Sequence, residues 1–121
     1  VELRYPIRPG AGSAYEKVER RAGDWGVCTS GAFVVVSGGV VSDVGIGLAA
    51  VNAPHYCSPA AEAALLGKAP TEENLAAAAA AAAEECEPSA DQRGPVDYKR
   101  HLAQELTLRA LRRAVAASQG V

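Results

Sequence analysis

Few residues of this chain stand at spacings that chemistry demands, and each such group has a plainer competing reading. Gly45-Ile46-Gly47-Leu48-Ala49-Ala50 matches the GxGxxG/A pattern that cradles a pyrophosphate. That chemistry needs the glycines in a turn that opens a helix, whereas here they lie inside an apolar, strand-like run. Glycines so placed let a helix or a neighbouring chain approach a sheet closely. His55 and Cys57 flank Tyr56 and set a base beside a thiol. A zinc ion requires three or four ligands, and a thiol nucleophile requires a group that orients its base. Neither is marked in the sequence, so loop packing is the preferred reading and no metal site is assigned. Cys28, Cys57 and Cys86 are odd in number and widely spaced. Without knuckle or CxxC spacing they read as free, partly buried thiols in a reducing, cytoplasmic setting. Finally, Lys17, Arg20, Arg21 and Asp24 crowd one short segment. A charge run is usually a solvated face, here with Asp24 capping the next segment. The same cations could act as charge-assisted donors.

The elements that must position these groups follow from pattern. A length of 121 residues fits one domain with a core of its own. Twelve basic against fourteen acidic residues, a net charge of −2, offer no general field for a nucleic acid. The N-terminus lacks a signal-peptide apolar region, and no apolar run reaches the roughly 20 residues of a membrane span. A soluble protein that does not span a membrane is therefore expected. Residues 1–12 carry Pro6, Pro9, Gly10 and Gly12 and read as an extended arm ending in a loop, a linker from an upstream part. Residues 13–121 make the domain.

Within it, residues 13–21 predict a short strand, broken at Gly23-Asp24. The β-branched runs 27–36 and 40–51 predict two further strands, joined through Gly38-Gly39 as a hairpin. Ser58-Pro59 reads as an N-cap and first helical residue, with Ala61, Leu65 and Leu66 as the apolar face and Gly67 as the stop. Thr71 caps a second helix that runs through eight alanines to about Cys86, with Pro88 beyond. Gly94-Pro95 opens a third, whose face is Tyr98, Leu102, Leu106, Ala110 and Leu111. Arg109, Arg112 and Arg113 crowd its last turns, which suits dipole compensation and surface salt bridges; a docking patch for another subunit is the alternative. Strands followed by helices argue for an α+β fold, with three helices on one face of a small antiparallel sheet of three or four strands.

Five stretches in order resemble a known family: Ser13-Ala14-Tyr15-Glu16-Lys17 leading into Arg20-Arg21-Ala22-Gly23-Asp24, the glycine hairpin, Val44-Gly45-Ile46-Gly47-Leu48, the helix from Ala60 to Lys68, and Tyr98-Lys99-Arg100-His101-Leu102 continuing to Leu111. Together they resemble the C-terminal domain of flavoprotein subunits in the carbon monoxide dehydrogenase and xanthine dehydrogenase family, from about Ser13 to Ala114. The resemblance implies a sheet of three or four strands with three helices. It implies a place in the medium, FAD-carrying subunit of a molybdenum hydroxylase. There electrons pass from a molybdenum cofactor through iron–sulfur clusters to FAD and on to an external acceptor. The implied partners are a molybdenum-cofactor large subunit and an iron–sulfur small subunit. The family's phosphate-cradling glycine loops lie N-terminal to this domain and have no counterpart here. No catalytic residue is assigned, and the isolated chain is expected to be inactive. Lys17, Arg20, Arg21 and Asp24 match the family's pattern beside the flavin, which makes them the cofactor-binding candidates. Lys17 would donate to the pyrophosphate or a flavin carbonyl, and an arginine near the ring would favour its reduced form. The contrasting expectation, from another class, is a stand-alone interaction or dimerisation domain without cofactor; fold alone does not separate the two.

Overall fold

In the computed structural model, which describes residues 1–120, three strands form one antiparallel sheet: β1 (Ala11–Glu19), β2 (Gly26–Ser37) and β3 (Val40–Ala49), in the order β1-β2-β3. After a short 3-10 turn at Pro54–Tyr56 come α1 (Pro59–Leu65), α2 (Glu72–Glu85) and α3 (Val96–Ser118). The α+β order expected from the sequence is the order observed, with three strands. Gly38 and Gly39 both adopt left-handed angles, φ +61° and +80°, the pair that a two-residue hairpin turn requires. Beyond it the register slips by one residue between Val35 and Val36, opposite Ser42. Ser42 Oγ donates to the Val35 carbonyl at 3.2 Å.

The core lies between the sheet and the helices. Cys28, Ser30, Ala32 and Val34 of β2 and Val44, Ile46 and Leu48 of β3 are buried on one face. α3 packs along β1 and β2, α1 along β3, and α2 against both other helices. Ala78, Ala79, Ala82 and Ala83 are buried on α2, so small side chains allow the helices to approach closely. The buried hydroxyls of Ser30 and Thr107 satisfy each other across the β2–α3 contact at 2.8 Å, as buried polar groups must. The outer edge of β3 is sealed by the chain itself. Val41 N donates to the Lys68 carbonyl at 2.9 Å and Gly67 N to the Val41 carbonyl at 2.8 Å. Ser58 N donates to the Ile46 carbonyl at 3.2 Å, and Ile46 N to Glu62 Oε1 at 3.0 Å.

Four local expectations are corrected. Gly12 is not a loop residue but a buried position of β1; a Cβ there would overlap the Ala114 carbonyl oxygen and the Ser118 amide. Leu66 is the C-cap of α1 and is exposed, because the chain turns away from the core there. Tyr98 is exposed and lies over Gly94, while its neighbour Lys99 is buried, 4% exposed. Lys99 Nζ meets Asp91 Oδ1 at 2.8 Å and the Ser89 carbonyl at 2.6 Å, clasping residues 89–91 to α3. Finally, α3 runs on to Ser118, which leaves Arg109, Arg112 and Arg113 short of its last turn, where the dipole acts. The expected surface salt bridges do form: Arg109 with Glu105 at 2.9 Å, Arg112 with Glu72, and Arg113 with Glu16 at 2.5 Å.

All three cysteines are free. Burial, and then the neighbouring Cys86, pushes the Cys28 thiol up from its ordinary 9.0 to about 12. Because the folded value is raised, this group's contribution to stability is complete below pH 9 and is lost as the pH climbs towards 12. Chemical denaturation is expected to show stability falling between pH 9 and 11, less steeply in Cys28→Ala. In the native chain at pH 8, a thiol reagent should modify the half-buried Cys57 well before Cys28.

Candidate functional site

The sheet face turned away from the helices carries the site. Strand alternation places Ser13, Tyr15 and Lys17 of β1 on that face. The register aligns Ser13 with Phe33 and Gly45, Tyr15 with Gly31 and Gly47, and Lys17 with Thr29 and Ala49. Three glycines in these rows leave the middle of the face without side chains. A Cβ on Gly31 would touch nothing closer than 3.7 Å, and one on Gly47 would lie 3.4 Å from the Tyr56 carbonyl oxygen. Gly45 differs, since the ring of Phe33 already covers it. Arg8 stacks on that ring, 4.9 Å from its centroid, and pairs with Asp43.

The result is a groove in two joined parts. One, about 850 Å³, is lined by Tyr15, Gly31, Phe33, Gly45, Gly47 and Tyr56, among others. The other, about 510 Å³, runs on past Lys17, Asp24, Trp25 and Ala50. Its wall includes a strained segment: Ala50, Asn52, His55 and Tyr56 all have left-handed φ, from +52° to +69°. Non-glycine residues persist in such angles only where the surroundings hold them, commonly at functional sites.

The charged edge assembles two of the four expected residues directly. Lys17 Nζ lies 2.9 Å from Glu19 Oε2 and donates to the Asp24 carbonyl at 3.0 Å. The hydrogen bond to Glu19 holds the Lys17 ammonium above its ordinary pKa, so it stays charged. Asp24 Oδ1 accepts from Trp25 N at 2.8 Å, which is the capping role. Its Oδ2 is buried and accepts no hydrogen bond; the Arg20 guanidinium stands 3.8 Å off. Arg20 therefore joins the edge through Asp24, whereas Arg21 is exposed and its side chain meets no partner among the described residues. Sequence reasoning missed Tyr15, Trp25 and Tyr56 as walls and Gly31 as floor; strand parity was the available signal for Tyr15 and Gly31. The GxGxxG run does lie within β3 and opens no helix. Among the described residues no three His, Cys, Asp or Glu side chains gather as a metal site, and no helix is long and apolar enough to cross a membrane.

The family described as CO dehydrogenase flavoprotein C-terminal domain matches residues 13–114. The carbon monoxide dehydrogenase medium chain of Hydrogenophaga pseudoflava is 44% identical over 96% of this chain and 41% of its own length. That of Afipia carboxidovorans is 34% identical over 97% and 41%. Among solved structures, carbon monoxide dehydrogenase from Hydrogenophaga pseudoflava superposes with a TM-score of 0.85 at 44% identity, covering 91% of this chain and 38% of that one. Quinoline 2-oxidoreductase from Pseudomonas putida 86 gives 0.80 at 30%, covering 93% and 38%. The chain thus spans about two fifths of the length of the relatives it matches. With the family's model matching residues 13–114 and the fold shared at a TM-score of 0.85, the chain belongs to the CO dehydrogenase flavoprotein C-terminal domain family.

Proposed function

We propose that this domain lines the flavin site of the FAD-carrying subunit of a molybdenum-containing dehydrogenase. One observation carries the reading: a glycine floor and the Lys17–Asp24 edge meet on a single open sheet face. A planar ring needs a surface free of side chains, which Gly31 and Gly47 leave. Tyr15, Trp25 and Tyr56 offer aromatic faces around it. The charged Lys17 suits a flavin carbonyl or the pyrophosphate. Asp24 Oδ2 accepts no hydrogen bond and has the Arg20 guanidinium only at ion-pair distance, 3.8 Å, so it is an acceptor for a ring N–H. Arg20, and more distantly Arg21, add positive potential that favours negative charge on a reduced ring. The residues present therefore fit FAD on one side of the ring. The bound flavin supplies the electron transfer; this chain orients it, screens it from water and holds charge beside it.

In this reading FAD is held mostly by a portion N-terminal to the sequence, reached through residues 1–12, with residues 13–121 as the flavoprotein C-terminal domain. The partners are a molybdenum-cofactor large subunit and an iron–sulfur small subunit, and the setting is cytoplasmic. The relatives named as carbon monoxide dehydrogenase medium chains support this placement. In the full-length subunit, Lys17→Ala is expected to lower bound FAD several-fold while leaving the fold intact, with the melting temperature of the flavin-free subunit unchanged. An unchanged ratio of flavin to protein would remove Lys17 from the site. Alone, the 121-residue chain is expected to quench FAD fluorescence weakly or not at all, and tight stoichiometric quenching would show a complete site in this chain.

A further inference from the structure

A second recess, about 420 Å³, lies on the other side of the Trp25 loop. It is lined by Trp25, Gly26, Val27, Ala50, Asp91, Arg93 and Lys99. Two cations face one carboxylate there, and that carboxylate is already engaged. Asp91 Oδ1 takes Lys99 Nζ at 2.8 Å and the Arg93 backbone N–H at 2.7 Å. The Lys99 contact, then the Arg93 amide, hold the Asp91 carboxyl below its ordinary pKa, so it stays ionised and bound to them. The Arg93 guanidinium is left over. Its side chain donates no hydrogen bond among the described residues, and its Nε is buried without a partner. Every other arginine except the exposed Arg21 reaches an acceptor, through Glu2, Asp43, Asp24, the Cys86 carbonyl, Glu105, Glu72 or Glu16. A half-buried guanidinium without an acceptor forfeits the charge-assisted hydrogen bonds that its fork geometry suits.

The geometry points to an anion site in this recess, one that takes a phosphate group on Arg93 with Lys99 behind it and the Trp25 indole as an aromatic wall. A phosphate supplies the oxygens Arg93 lacks, and its charge offsets the surplus cation. The recess shares Trp25, Gly26 and Ala50 with the flavin groove, whereas Arg93 and Lys99 border the recess and not the groove.

Trp25 is the sole tryptophan of the chain and borders both the recess and the flavin groove, so its fluorescence reports either, and Arg93→Gln separates them. The 121-residue chain would be titrated with inorganic phosphate and with AMP, against sodium chloride of matched ionic strength. A saturable change with phosphate, weakened at least tenfold in Arg93→Gln, is the expected result. Equal responses to the two probes make free phosphate the ligand, and a tenfold tighter response to AMP makes it a nucleotide. Arg93→Gln touches no hydrogen bond of the fold, and an unchanged melting temperature verifies this. A response that sodium chloride reproduces, one that persists in Arg93→Gln, or none with either probe overturns the site.

Discussion

Gly31→Leu is expected to leave the chain folded while cutting the FAD bound by the full-length subunit at least about tenfold. Gly31 sits in the central strand, opposite Tyr15 and Gly47, and a Cβ on it meets nothing closer than 3.7 Å. Its backbone is not left-handed, so a side chain introduces no strain there. Glycine within a strand weakens it by roughly 0.5–1 kcal/mol relative to alanine, so the substitution should be neutral or stabilising for the fold. Its side chain would nevertheless stand in the middle of the groove where the ring is proposed to lie. A tenfold loss of affinity needs only about 1.4 kcal/mol, within the roughly 1–3 kcal/mol typical of steric overpacking. The measurement is flavin absorbance per protein alongside thermal melting. A subunit with full flavin content and an ordinary melt would show that no ring rests on this floor.

Gly12→Val is expected to do the reverse, destabilising the chain by about 3 kcal/mol or more, at the upper end of overpacking in cores. Against a total stability of about 5–15 kcal/mol for a domain, that loss removes roughly a fifth to three fifths of the margin. The cause is backbone rather than a movable side chain: the Ala114 carbonyl and the Ser118 amide of α3 occupy the space, and Ala117 Cβ lies 2.8 Å from where the new carbon would be. α3 cannot retreat without lifting off β1, and Ser118 Oγ further ties its end to the Gly10 carbonyl at 2.7 Å and the Val36 amide at 2.9 Å. Gly10→Asn provides the comparison. Gly10 has φ +77° and open space around it, and asparagine tolerates left-handed angles better than most residues. Denaturant midpoints should separate the two variants clearly; equal midpoints would mean that α3 can shift to admit a side chain.

Much of the architecture was legible because local signals agreed with the global pattern. Gly38-Gly39, Ser58-Pro59 and Thr71 each carry turn or cap chemistry, and each acts where expected: Ser58 Oγ accepts from Ala61 N, and Thr71 Oγ1 from Asn74 N. The charged edge was legible in part. Lys17 and Asp24 meet because a turn folds one back on the other, whereas no pattern distinguishes Arg20, held against Asp24, from Arg21, whose side chain meets no partner among the described residues. The glycine floor was hidden because its members come from two strands, and only the register between them brings Gly31 beside Gly47. Gly12 was misread because glycine is a loop residue far more often than a point of helix–strand contact, and nothing local marks α3 arriving from a hundred residues away. Lys99 shows the same blindness. Periodicity favoured Tyr98 for the core, yet the lysine found two oxygens there and the tyrosine did not.

The sealed margin of β3 fixes how this sheet can associate. Backbone groups at Val41 and Ile46 are already spent on residues 58–68, and on the opposite margin the Tyr15 carbonyl of β1 accepts from Arg113 Nη1 at 3.3 Å. A ribbon that grows by repeated edge pairing needs two complementary margins on every copy. Among the described residues both margins of this sheet are interrupted as docking rows, which works against growth by strand addition.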